Sequence, residues 1–185
     1  MKTEIQILWF KKDLRVIDHM PLVKACENKI PVLPIYLIEP SFWRQPFSSK
    51  RHWSFIRDCL IDLQRDLINL RSKLHVEIAE ALNFFDELNK KFTISSILSH
   101  EETGNNWVLS RNKQVQNWCK TKNIDFIECP NNGVVRNLEN RDQWSQIKKN
   151  RLSLPILDKP NAINTLDYNF KFELPSLNDF LFGTD

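Results

Sequence analysis

Residues 5–22, IQILWFKKDLRVIDHMPL, constrain the fold more than any other stretch. They open as a short apolar run, pass into a dense set of charges (Lys11, Lys12, Asp13, Arg15, Asp18), and end at Pro21 and Leu22, where a helix is expected to begin. A strand followed at once by a charged turn and a helix is the first unit of an α/β sheet. The charged turn falls at the carboxyl end of the strand, the edge at which such sheets bind ligands. Asp18 is the expected cap of that first helix, because its carboxylate can accept from the free amides of the first turn. Pro21 is tolerated there, since those amides have no intrahelical partner.

The same alternation continues down the chain. Strands are expected at residues 4–10, 31–38, 74–79, 94–99 and 125–129. Helices are expected from about 18 to 28, 50 to 72, 81 to 92, and from Asn105 or Asn106 onward. The helix at 50–72 carries the clearest stripe, Trp53, Ile56, Leu60, Leu63, Leu67 and Leu70, at spacings of three and four, which reads as core. Leu82, Phe85, Leu88 and Phe92 form the inward face of the next helix; Val108, Val115, Trp118 and Cys119 form that of the last. Pro34 removes one ladder donor from the second strand. Five strands alternating with four helices predict an α/β fold: a five-stranded parallel doubly wound (Rossmann-like) sheet with helices on both faces.

After Pro130 the apolar periodicity stops. Residues 1–130 are therefore expected to form the domain. Residues 131–185 read as an extended, linker-like C-terminal segment that wraps another body. Leu177, Phe180, Leu181 and Phe182 would be a docking hook at its end.

Composition excludes several functions. No apolar run approaches the ~20 residues that span a bilayer, and the charged N-terminus lacks a signal core, so a cytoplasmic protein is expected. The net charge of +3 is a mild bias toward anionic ligands, far from a DNA-coating surface. Cys26, Cys59, Cys119 and Cys129 form no C-x-x-C pair and read as reduced core residues. A dinucleotide fingerprint or P-loop needs several glycines after a strand, and this chain's three glycines do not follow the first strand. No metal site is expected from the dispersed histidines. Two features remain open to more than one reading. His100, Glu101 and Glu102 suit acid/base or metal chemistry, or cap a helix. Phe42, Trp43, Phe47, Trp53 and Phe55 beside Arg44, Lys50 and Arg51 suit a planar, partly anionic ring or stacked nucleic acid, or simply pack on their own core.

Residues 9–22, WFKKDLRVIDHMPL, resemble the opening signature of DNA photolyases and cryptochromes, W-F-[KR]-[KR]-D-L-R-x-x-D-[NH]-x-x-L, and meet every fixed position. PVLPIYLIEP resembles that family's second strand, KRHWSFIRDCLIDLQRDL its following helix, and SHEETGNNWVLSRNKQVQNWC its strand-four loop and helix. The family's usual Arg-Asp pair is Arg111–Asn112 here, so a salt-bridging acid is expected to be lost. The resemblance implies an N-terminal domain that carries a light-harvesting antenna chromophore: methenyltetrahydrofolate, 8-hydroxydeazaflavin or FMN. It would feed a helical FAD-binding domain or protein engaged in DNA repair or blue-light reception. FAD, lyase catalysis and DNA contact would then belong to that partner and not to this chain alone. An alternative is a chromophore-free module that docks onto a helical FAD protein through residues 155–182. The implied pocket lies at the carboxyl ends of strands one, two and four. Phe10, Lys11, Tyr36, Ile38, Glu39, Lys50, Arg51, Glu101 and Glu102 are its expected lining. Lys50 and Arg51 would meet an anionic tail, and the carboxylates would accept from ring N–H or hydroxyl groups. Asp13, Arg15 and Asp18 are expected to form an ion-pair set that fixes the turn.

Overall fold

The computed structural model describes residues 2–136, 138 and 140–176. Five strands run in the order of the chain: β1 (Glu4–Phe10), β2 (Val32–Ile38), β3 (His75–Ile78), β4 (Thr93–His100) and β5 (Asp125–Cys129). They form one sheet in the spatial order β3-β2-β1-β4-β5, and every pairing is parallel. The order reverses between β1 and β4, which places a topological switch point beside the charged turn after β1.

Helices cover both faces. They are α1 (Met20–Ala25), α2 (Pro40–Trp43), α3 (Lys50–Asn69), α4 (Ala81–Lys91), α5 (Asn106–Lys122) and α6 (Trp144–Leu152). The two-residue alternation of the strands divides the core. Leu8, Phe10, Tyr36 and Ile38 pack with Trp53, Leu60, Leu63 and Leu67 of α3 on one face. Ile5, Ile7, Trp9, Leu33 and Ile35 pack with Phe85 and Leu88 of α4 and Val115 and Cys119 of α5 on the other. A one-residue slip in any strand would exchange these sets. β3 pairs with β2 only from Ile35 onward, so Pro34 sits just outside that ladder and its missing N–H does not interrupt it.

Three features differ from expectation. His19, not Asp18, caps α1: its ring accepts from the Leu22 N–H. Asp18 instead holds a left-handed backbone at φ 53°. α2 and α6 are not legible in the sequence. α2 is a single turn inside an aromatic loop, and α6 buries no residue, so it has no apolar stripe to read. All four cysteines are free.

The C-terminal segment packs on the domain itself. Ile163 and Leu166 are buried in the two cores. The Val32 N–H donates to the Asn164 carbonyl (2.8 Å), the Val76 N–H to the Lys171 carbonyl (2.7 Å), and the Trp53 indole to the Pro175 carbonyl (3.1 Å). The hook expected at Leu177, Phe180, Leu181 and Phe182 lies outside the described residues. Among the described residues no helix is long and apolar enough to cross a membrane.

Candidate functional site

The carboxyl ends of β1, β2 and β4 converge on a buried ionic cluster. Lys11 follows directly on β1, Glu39 follows directly on β2, the loop after β4 supplies Glu102, and the second turn of α5 brings Arg111. The Arg111 guanidinium forks between the carboxylates of Glu39 and Glu102. Lys11 Nζ lies 3.4 Å from Glu102 and 3.9 Å from Glu128. Both cations also meet aromatic faces: Arg111 Cζ stands 4.5 Å from the Trp9 ring centre and 5.4 Å from that of Trp107, and Lys11 Nζ is 5.0 Å from Trp9. Stripped of water, each charge depends on the others. Removing one member of such a buried set costs about 3–5 kcal/mol, because it strands the rest. Burial pushes the Glu39 carboxyl up to about 7, with Arg111 opposing in part. Burial likewise lowers the Lys11 ammonium and raises the Tyr36 phenol. The acid expected to be lost at position 112 is thus replaced for Arg111 by Glu39 and Glu102.

A second buried group fixes the turn. Asp13 Oδ2 accepts from His19 Nε2 (2.8 Å) and His100 Nδ1 (2.6 Å), and Oδ1 accepts from the Lys11 N–H (2.9 Å). His19 Nδ1 accepts from the Leu22 N–H (3.0 Å), so the neutral ring carries its proton on Nε2. Burial raises the Asp13 carboxyl, but the two imidazole hydrogen bonds outweigh it and hold it well below the usual range. Burial lowers His19 despite Asp13. The expected Asp13–Arg15–Asp18 ion-pair set is therefore corrected. Asp13 pairs with histidines, while Arg15 donates to the Ile17 and Asp18 carbonyls and to Asn131. The potential ligand atoms of Asp13, His19 and His100 lie within 4.8 Å of one another, as a metal set would. In this structure both facing imidazole nitrogens share one Asp13 oxygen, a hydrogen-bonded clasp that joins β1, α1 and β4 through the atoms a metal ion would also use, whereas no metal site was expected from the dispersed histidines.

Above the ionic cluster, two cavities share Lys12, Phe42, Trp43 and Ile56 in their walls. The inner one is about 60 Å³ and reaches Trp9, Tyr36, Glu39 and Arg111. The outer one is an apolar groove of about 570 Å³ between the β1 turn, α2 and α3. Phe42 anchors it, stacking edge-on against Trp43 (5.5 Å) and Trp107 (5.1 Å) and at a tilt on Phe47 (5.3 Å). Lys12, Arg15 and His52 stand among its walls.

Of the expected lining residues, the fold brings Phe10, Lys11, Tyr36, Glu39 and Glu102 together around the inner cavity. Ile38 is 0% exposed in the core and lines neither cavity. Lys50 and Arg51 are exposed on the first turn of α3 and also line neither. Their neighbour His52 takes the expected place in the groove. Glu101 turns the other way, to Arg151 (3.2 Å) and Arg136 (3.8 Å). Sequence reasoning missed Trp9, Trp107 and Arg111 as pocket residues. The signal was present in the Trp107–Arg111 spacing, which puts the ring and the guanidinium on one face of α5.

The sequence model of DNA photolyase matches residues 6–146. Cryptochrome DASH, chloroplastic/mitochondrial, of Arabidopsis thaliana is 30% identical over 105 residues, which cover 54% of this chain and 18% of the relative. The cryptochrome of Synechocystis sp. PCC6803 superposes with a TM-score of 0.78 at 18% identity, covering 97% of this chain and 41% of its own. An archaeal photolyase from Sulfolobus tokodaii, solved with two FAD molecules and described as implying a novel light-harvesting cofactor, superposes with a TM-score of 0.71 at 18% identity, covering 98% and 42%. The chain thus spans less than half the length of each of these relatives.

Proposed function

The chain belongs to the DNA photolyase family, and from that premise we propose that it is a light-harvesting α/β unit, holding a planar antenna chromophore for a helical FAD-binding domain or protein. The observation that carries this reading is the aromatic groove of about 570 Å³ at the carboxyl edge of the sheet. Ligand grooves of this type are largely apolar, with a few polar groups that orient the ligand. The inner cavity, at about 60 Å³, is too small for a fused ring, so the ring belongs in the outer groove.

Methenyltetrahydrofolate, 8-hydroxydeazaflavin and FMN share a flat ring system, to which the folate and FMN add an anionic tail and the deazaflavin an uncharged polyol chain. Such a group, when bound, supplies near-UV or blue absorption. The protein's residues do the remainder. Phe42, Trp43 and Phe55 cover the ring faces and exclude water. Lys12, Arg15 and His52 meet the tail. The Glu39–Arg111–Glu102 cluster forms a rigid floor that keeps Phe42 and Trp107 in place. The flavin-containing Sulfolobus relative supports a flavin as one of the options. FAD chemistry and contact with DNA belong, on this reading, to the helical partner. For the chromophore-free alternative, Ile163 and Leu166 in the described part of the tail offer no docking surface, being buried in the chain's own core. Purification in the dark followed by near-UV and blue absorption tests the proposal. A bound chromophore band is expected; a colourless protein that takes up none of the three would overturn it.

A further inference from the structure

A separate cleft lies on the far side of Glu102, between α5 and the segment after β5. It encloses about 830 Å³ and shares no lining residue with the two cavities already described. Leu109, Asn112, Lys113 and Gln116 reach it from one stripe of α5 at positions i, i+3, i+4 and i+7. Asn112 is the anomaly. Its side chain is 4% exposed, yet neither the amide nitrogen nor the amide oxygen has a hydrogen-bond partner. A buried amide left open at both ends is costly, and such groups normally find a partner.

We propose that this cleft binds an adenine nucleoside, with Asn112 reading the base. An orphaned carboxamide is matched by a ligand edge that sets a donor beside an acceptor. The adenine N6–H and N7 edge does this, and asparagine is its usual bidentate partner. Leu109 and Val134 supply apolar wall area for the base and are 41% and 50% exposed. Glu128 also lines the cleft, with both oxygens engaged: Oε2 accepts from Arg136 at 2.6 Å and Oε1 faces Lys11 Nζ at 3.9 Å. Charge decides the form of the ligand. Glu101 and Glu128 balance Lys113 and Arg136, and no glycine-rich loop offers backbone amides to a phosphate chain. The site therefore takes the neutral nucleoside in preference to its triphosphate.

The test uses the full chain labelled with ¹⁵N. The Asn112 side-chain NH₂ pair is identified by its absence in Asn112→Asp, and adenosine and inosine are titrated separately. Adenosine is expected to shift that pair saturably. Inosine, whose O6/N7 edge offers two acceptors and leaves the amide oxygen unmatched, should bind about tenfold more weakly. Asn112→Asp should lose a similar factor. Val134→Asp, at an exposed position that leaves the fold intact, should weaken adenosine binding even if Asn112→Asp fails to fold. An Asn112 pair unmoved by millimolar adenosine, equal binding of inosine, or unchanged binding by Val134→Asp would overturn the proposal and assign the amide to water alone.

Discussion

Replacing Glu39 by glutamine gives a pH signature that depends directly on the buried ionic cluster. The Glu39 carboxyl ordinarily titrates at 4.5 and is pushed up to about 7 by burial. At 1.36 kcal/mol per pH unit, that gap corresponds to roughly 3 kcal/mol. The sign follows from the direction. The folded state holds the proton more tightly than the unfolded chain, so the stabilisation is fully present below 4.5. It is lost as pH rises through about 7. The carboxamide of the Glu39→Gln variant cannot ionise and escapes this loss, although Arg111 then keeps only Glu102 as a full charge partner. The attraction between Arg111 and ionised Glu39 is already contained in the value of about 7, so it adds no further pH dependence. The stability of Glu39→Gln minus that of the parent should therefore rise by about 2–3 kcal/mol between pH 5 and pH 8. Urea unfolding of both proteins at the two pH values measures it, and the contributions of Asp13 and His19 cancel in the difference. A difference that stays flat with pH would refute the placement of Glu39 in a desolvated site.

Asp13→Asn should cost about 3 kcal/mol or more, because three donors converge on the carboxylate. It should also flatten acid unfolding. The Asp13 stabilisation exists above pH 3.8 and disappears as pH falls through its depressed folded value, and calorimetry across that range reads it. Arg111→Met should destabilise by about 3–5 kcal/mol by stranding Glu39 and Glu102, and should alter tryptophan emission as the cation leaves Trp9 and Trp107. Leu166→Ala should cost about 2–4 kcal/mol in denaturant melts, as expected for a core residue and not for a free linker. Trp43→Ala should abolish chromophore uptake while Lys50→Ala leaves it unchanged, as scored by absorbance after reconstitution, since only the former lines the groove.

Periodicity made the sheet legible. Strand one and the stripe of α3 were readable because their apolar spacing is set by what they bury, and β5 matches its expected bounds. The C-terminal segment was not readable. Ile163 and Leu166 enter the core singly from extended chain, and backbone hydrogen bonds to Val32 and Val76 hold the rest, leaving no period in the sequence. The site divides in the same way. Phe10, Lys11, Tyr36, Glu39 and Glu102, expected from the family resemblance, stand together around the inner cavity, because the carboxyl ends of neighbouring strands meet at one edge of the sheet. The pairing of Asp13 with His19 and His100 did not, because opposite charges in a turn suggest Asp13–Arg15, and only the fold brings His100 across from β4. Lys50 and Arg51 were chosen for charge beside aromatics. Helix phase places them apart from the two cavities: the first turn of α3 presents His52 to the groove, and both cations are exposed.

Tryptophan fluorescence during titration of the dark-purified protein with methenyltetrahydrofolate, 8-hydroxydeazaflavin and FMN tests the groove most directly. Trp43 lies in its wall, and Trp107 packs against Phe42 beside it. Saturable quenching by one of the three, with one chromophore per chain and loss of the effect in Trp43→Ala, is the predicted result. No saturable quenching by any of them, or quenching that persists unchanged in Trp43→Ala, would contradict the assignment of this edge to an antenna chromophore.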